Sequence, residues 1–108
     1  MDSLKAIYKI LERLEKAQDE EKPEFSDISA TSLGIGETRW VNLIIMMQDA
    51  RLIKDVSMTK PYGQEAKRMI FTDHMKITLD GLKWLEENSA TTKILRAAKE
   101  IKDLIPGI

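Results

Sequence analysis

Two closely spaced glycines in Leu33-Gly34-Ile35-Gly36 divide a short run of small residues from a long apolar-periodic one, and they restrict how this chain folds more than any other feature. Before them, Asp27-Ile28-Ser29-Ala30-Thr31-Ser32-Leu33 suits a brief helix. After them, Glu37 to Arg51 places Trp40, Leu43, Ile44, Met47 and Ala50 on one helical face and Thr38, Asn42 and Asp49 on the opposite one. Glycine enters left-handed backbone without the Cβ clash other residues suffer, so a sharp helix-to-helix turn is expected here. A helical pair joined this tightly leaves apolar surface uncovered, and the flanking segments must supply the cover.

Upstream, Leu4, Ile7, Tyr8, Leu11 and Leu14 recur at steps of three and four residues, with Asp2 or Ser3 available as N-cap, and predict a helix over residues 3–19. The acidic stretch Asp19-Glu20-Glu21-Lys22-Pro23-Glu24 interrupts that pattern, and Pro23 disfavours helix at the residue before it, so a solvated turn is expected. Downstream, Leu52 to Thr59 alternates in part and reads as a strand. Lys60 to Lys67 holds the Pro61 and Gly63 of a loop, and Arg68 to Thr72 reads as a returning strand. His74 to Ile77 is a short extended connection, after which Thr78 caps a helix to about Glu87. Asn88-Ser89 breaks it. Ile94, Ala98, Ile101 and Ile105, with Leu95, Ala97 and Leu104, outline a last amphipathic helix stopped by Pro106-Gly107.

This order predicts an α+β fold, a winged helix-turn-helix with a three-helix core, a β-hairpin wing and one or two additional C-terminal helices. At 108 residues the chain is expected to form a single domain over residues 1–108, with 89–105 as a C-terminal helix available for dimerisation. No apolar run approaches the roughly 20 residues of a membrane helix, so no membrane partner is expected. The chain has no cysteine, which removes disulfides, thiolate nucleophiles and cysteine zinc ligands together. Its N-terminus lacks an apolar signal core, and a cytoplasmic location is the expectation.

The stretch Leu33-Gly34-Ile35-Gly36-Glu37-Thr38-Arg39-Trp40 resembles the turn and recognition-helix start of winged helix-turn-helix repressors, which commonly show Leu-Gly-Ile and an apolar residue five positions on, here Trp40. Their pattern continues with apolar residues, here Ile44 and Met47, and a terminal Gly-Leu-Ile, here Arg51-Leu52-Ile53. Arg51 stands where glycine is usual, so this corner must be built differently or carry strain. A second stretch, Ile77-Thr78-Leu79-Asp80-Gly81-Leu82-Lys83-Trp84-Leu85, resembles the Leu-Thr-x-x-Gly-x-x-Tyr-Leu signature that follows the wing in such proteins, with Gly81 permitting close packing. Together with Glu86-Glu87-Asn88 and the tail Lys99 to Ile105, it gives the chain a resemblance to the YjcQ-like family of small bacterial and phage winged-helix proteins. The resemblance implies the fold and leaves the activity open.

No enzyme is expected. His74 is the only histidine, and the adjacent pairs Glu20-Glu21 and Glu86-Glu87 diverge around a helix, so no catalytic set, metal site or cofactor is predicted. Gly34-x-Gly36 lacks the third glycine of a dinucleotide fingerprint and the lysine of a phosphate loop. Two other readings remain. Double-stranded DNA is the first: Thr38, Arg39 and Asn42 at the start of the third helix are candidates for phosphate and base contacts, and Lys60, Lys67 and Arg68, opposed by Glu65, make residues 60–68 a wing of net +2. The net charge of −1 for the whole chain means that such binding must rest on local patches. The alternative is a non-enzymatic interaction or assembly module. Ile45 and Met46 flank the polar side of the third helix, and Ile94, Leu95, Ile101 and Ile105 on the last helix suit a homodimer or a protein partner.

Overall fold

The computed structural model describes residues 1–59 and 70–89. Helix α1 (Ser3–Ala17) opens with the Asp2 carboxylate accepting the Lys5 N–H, and turns Ala6, Ile10, Leu11 and Leu14 into the core. It ends two residues short of the expected end at residue 19, just before the acidic loop. A 3₁₀ turn (Ser26–Ile28) then leads into α2 (Ala30–Leu33), whose N-terminus is capped by the Ser29 hydroxyl. Helix α3 (Glu37–Asp49) follows after three residues.

The expected turn is present and has an explicit chemistry. Gly34 lies in left-handed backbone at φ +69, and the Gly34 and Ile35 N–H groups donate to the Thr31 and Ala30 carbonyls, which closes the end of α2. The same pattern closes α3, where Arg51 N–H donates to Gln48 O and Leu52 N–H to Met47 O. There the left-handed residue is Arg51, at φ 63. The corner anticipated from the missing glycine therefore keeps the glycine geometry and accepts the strain of a Cβ in it.

The strand expected over Leu52 to Thr59 is broken. Strand β1 (Ile53–Lys54) and strand β2 (Ser57–Met58) belong to different two-stranded sheets, because Asp55 at φ 64 turns the chain between them. The Val56 N–H at the break is taken by the Gln48 side-chain carbonyl at 2.9 Å, so α3 itself stabilises the kink. Strand β2 pairs antiparallel with β3 (Ile70–Phe71), Ser57 opposite Phe71 and Met58 opposite Ile70. Strand β1 pairs with β4 (Lys76–Ile77), Ile53 opposite Ile77. The segment expected to be a plain extended connection is thus a paired strand.

Helix α4 (Leu79–Glu87) starts at the expected Thr78 cap, whose hydroxyl accepts the Gly81 N–H and donates to the Arg51 carbonyl. The core gathers α1, the 3₁₀ turn, α2, α3, Ile53 of β1, Ile77 of β4 and Leu85 of α4 around the fully buried Ile10, Leu11, Ile44 and Met47. The architecture is α+β with a winged-helix-like layout: helices first, then a small hairpin-like sheet, then a further helix. The last helix expected from Ile94 to Ile105, and the wing tip, lie outside the described residues.

Candidate nucleic-acid and protein interface

Helix α3 buries Leu43, Ile44 and Met47 and half-buries Trp40, whose indole N–H donates to the Ile28 carbonyl at 2.9 Å and ties α3 to the 3₁₀ turn. Ala50, read with the buried face, is exposed, since it lies past the last helical residue where the chain begins its turn. The opposite side presents Thr38, Asn42 and Asp49, all exposed. Thr38 and Asn42 stand one turn apart on the N-terminal half of the helix, open to an approaching surface.

Arg39 is also exposed, yet its guanidinium points along the fold toward the start of α1. It donates to the Ser3 hydroxyl at 2.7 Å and the Met1 carbonyl at 3.2 Å. These partners are uncharged, so they orient the guanidinium without neutralising it. Arg39 is therefore separated in direction from the outward side chains of Thr38 and Asn42, and joins α3 to α1.

Met46 on α3 is 58% exposed, while Ile45 and Val41 are half-buried. Met58 and Phe71 on the hairpin strands are exposed at 42% and 46%. The candidate interaction residues Ile45 and Met46 are thus unequal, with Met46 carrying most of the apolar surface on that flank. Of the other candidates, Lys60, Lys67, Arg68, Ile94, Leu95, Ile101 and Ile105 lie outside the described residues.

Charge is distributed unevenly. The described residues hold ten basic and fifteen acidic side chains, a balance of −5, whereas the remaining residues hold seven basic and three acidic, a balance of +4. Positive surplus therefore belongs to residues 60–69 and 90–108, not to the described residues.

One feature sequence reasoning missed is the organisation of the acidic loop. Arg13 bridges Glu20 at 2.8 Å and Asp27 at 3.1 Å, donates to the Glu24 carbonyl at 2.9 Å, and lies 5.5 Å from the centre of the Phe25 ring. Its guanidinium is held even more firmly protonated, chiefly by the Glu20 hydrogen bond. The Glu24 carboxyl sits below its ordinary value because the Ser26 hydroxyl and N–H both donate to it. The expected solvated turn is a clamped one. A single arginine on the flank of α1 gives no periodic signal, so only the folded loop reveals its partners.

Among the described residues no group of three or more histidine, aspartate or glutamate side chains is placed to hold a metal ion, and no helix is long and apolar enough to cross a membrane. His74 is exposed beside Asp73 on the approach to β4. No curated protein and no solved structure matches the chain. The family model described as YjcQ protein matches residues 8–104, from the middle of α1 through the C-terminal segment, and the chain belongs to the YjcQ family.

Proposed function

We propose that this YjcQ-family chain is a DNA-binding winged-helix protein of the transcription-regulator kind, with α3 at a groove and the hairpin wing on the backbone. The observation that carries this reading is the α2-turn-α3 unit with Thr38 and Asn42 exposed on the N-terminal half of α3, followed by a hairpin whose connecting residues 60–68 carry net +2. An asparagine side chain offers the paired donor and acceptor that match adenine in the major groove. Phosphate attraction comes from Lys60, Lys67 and Arg68, because the helical body is negative and repels duplex elsewhere. Arg39 acts from the α1 side, as a charge fixed by Ser3 and Met1 near the start of α3.

The test is fluorescence anisotropy on labelled duplex across a salt series. Binding at low salt whose logarithm falls linearly with that of salt concentration is expected, and Lys60→Ala with Lys67→Ala and Arg68→Ala should reduce the slope by about 2 to 3. Absence of binding at low salt defeats the reading.

A second reading, contact with a protein partner through the α3 flank, is favoured by the 58% exposure of Met46 beside half-buried Ile45. Met46→Glu distinguishes the two. It adds a negative charge next to the groove-facing residues and should weaken duplex binding under the first reading. Under the second, duplex binding is absent in both proteins, and any concentration-dependent light scattering of the parent is lost in the variant.

A further inference from the structure

Helix α3 turns a face of mixed chemistry outward. Asn42 and Met46 are both exposed, Met46 at 58%, and the two stand about 6 Å apart along the helix axis and roughly 40° apart around it. Side chains of a helix lean toward its N-terminus, so Met46 leans over the turn that carries Asn42. Met46 has no part in the core, which takes Ile44 and Met47 from the same turn at 0% and 1% exposure. The carboxylates of α3 do not interrupt the pair. Glu37 lies on the opposite side of the helix from Met46, and the exposed Asp49 stands almost a full turn further on. Asn42 and Met46 thus form one short stripe with a polar start and an apolar end.

Base-pair edges in the major groove match such a stripe. Adenine offers the donor and acceptor that an asparagine amide takes together, and thymine alone among the bases offers a methyl group there. The remaining edge groups donate or accept hydrogen bonds, and a thioether covering them would leave them without a good partner. Methionine is unbranched and polarisable, so it fits against a methyl group over a range of positions. Successive nucleotides of a strand are spaced at about 3.4 Å, so the offset between the two side chains covers roughly two base-pair steps.

We propose that Met46 is a specificity-determining residue that packs on the 5-methyl group of a thymine, within two base pairs of the adenine taken by Asn42. The inference rests on the placement of α3 in a groove proposed above, and adds the base that its apolar residue reads. Replacing that thymine by deoxyuridine removes the methyl group and leaves the pairing unchanged, which should weaken binding about fourfold.

The test begins with selection by the full chain from a random-sequence duplex library at low salt. Each thymine of the enriched duplex is then replaced in turn by deoxyuridine and each adenine by 7-deazaadenine, and affinities are read by anisotropy. One adenine should be sensitive to the loss of its N7 acceptor in the parent and not in Asn42→Ala. One thymine within two base pairs of it should show the fourfold loss in the parent and none in Met46→Ala, whose fold is checked by circular dichroism. Met46→Leu should keep most of the methyl sensitivity, since it restores an apolar contact. Methyl sensitivity that survives in Met46→Ala, or no methyl-sensitive thymine that near the adenine, overturns the inference and leaves duplex binding standing. Duplex retained without enrichment of any sequence does the same. If no duplex is retained at low salt, the proposed function fails and the inference fails with it. Self-association lost in Met46→Glu would then assign the side chain to a protein contact.

Discussion

Arg51 and Gly81 show how a single backbone position constrains its neighbours. Arg51 holds left-handed backbone at φ 63, a conformation that costs a residue with a Cβ about 1 kcal/mol or more. Arg51→Gly is expected to stabilise the chain by about 1 kcal/mol, partly offset by the greater freedom of glycine in the unfolded chain, read as a higher urea midpoint at unchanged slope. At Gly81 the sign reverses. A Cβ there would fall 2.2 Å from the Leu52 carbonyl oxygen and 2.7 Å from the Ile77 side chain, and the backbone oxygen cannot move without losing the Thr78 N–H it accepts. Gly81→Ala should therefore destabilise by about 3 kcal/mol in the same titration. Asp2 and Glu24 add a pH dependence. Their carboxyls are held below ordinary values, Asp2 first by the Lys5 N–H and Glu24 first by the Ser26 hydroxyl. Because the folded state binds these protons less readily, the contribution is complete above the unfolded values and disappears as pH falls through the lowered folded ones. Glu24→Gln should accordingly flatten part of the acid limb of a stability-versus-pH profile.

Among the elements, α1 and α3 do more than fill the core. Helix α1 organises the loop that follows it, since Arg13 collects Glu20, Asp27, the Glu24 carbonyl and the Phe25 ring while its own side chain is only 14% exposed. Arg13→Ala should cost about 2 kcal/mol of stability and open residues 19–27 to protease, and Arg13→Lys should recover only part, because one ammonium cannot reproduce the forked geometry. Helix α3 fixes the elements on either side of it through Trp40 to Ile28 and Gln48 to Val56. The apolar period of α3 and the position of its turn were readable in the sequence. The kink at Asp55 was not, because the Val56 N–H beside it is satisfied by a glutamine side chain eight residues away and not by a strand partner. The β1–β4 pairing was likewise invisible. Two-residue strands carry almost no period of their own, and Lys76-Ile77 becomes a strand only because Ile53-Lys54 lies beside it.

On the scale of the whole molecule, the decisive property is the separation of charge, −5 over the described residues against +4 over the rest. Under the proposed function, phosphate attraction therefore rests on residues 60–68, and α3 contributes groove contacts without a net positive field. Adding Lys54→Glu and Lys76→Glu on the β1–β4 sheet should therefore change duplex affinity far less than removing Lys60, Lys67 and Arg68, a comparison made by anisotropy at one salt concentration. What the sequence alone determined about this protein was local: the order of the helices, the glycine turn, the Thr78 cap, the close packing at Gly81 and the family pattern, each written in residue type and spacing. Tertiary structure decided where side chains without periodic meaning are directed. It sent Arg39 to Ser3 rather than outward with Asn42, drew Arg13 into a clamp, and left Met46 uncovered beside a buried Met47. Long flexible side chains reach several partners at similar cost, and only the folded backbone determines which of them lies within a hydrogen bond's length.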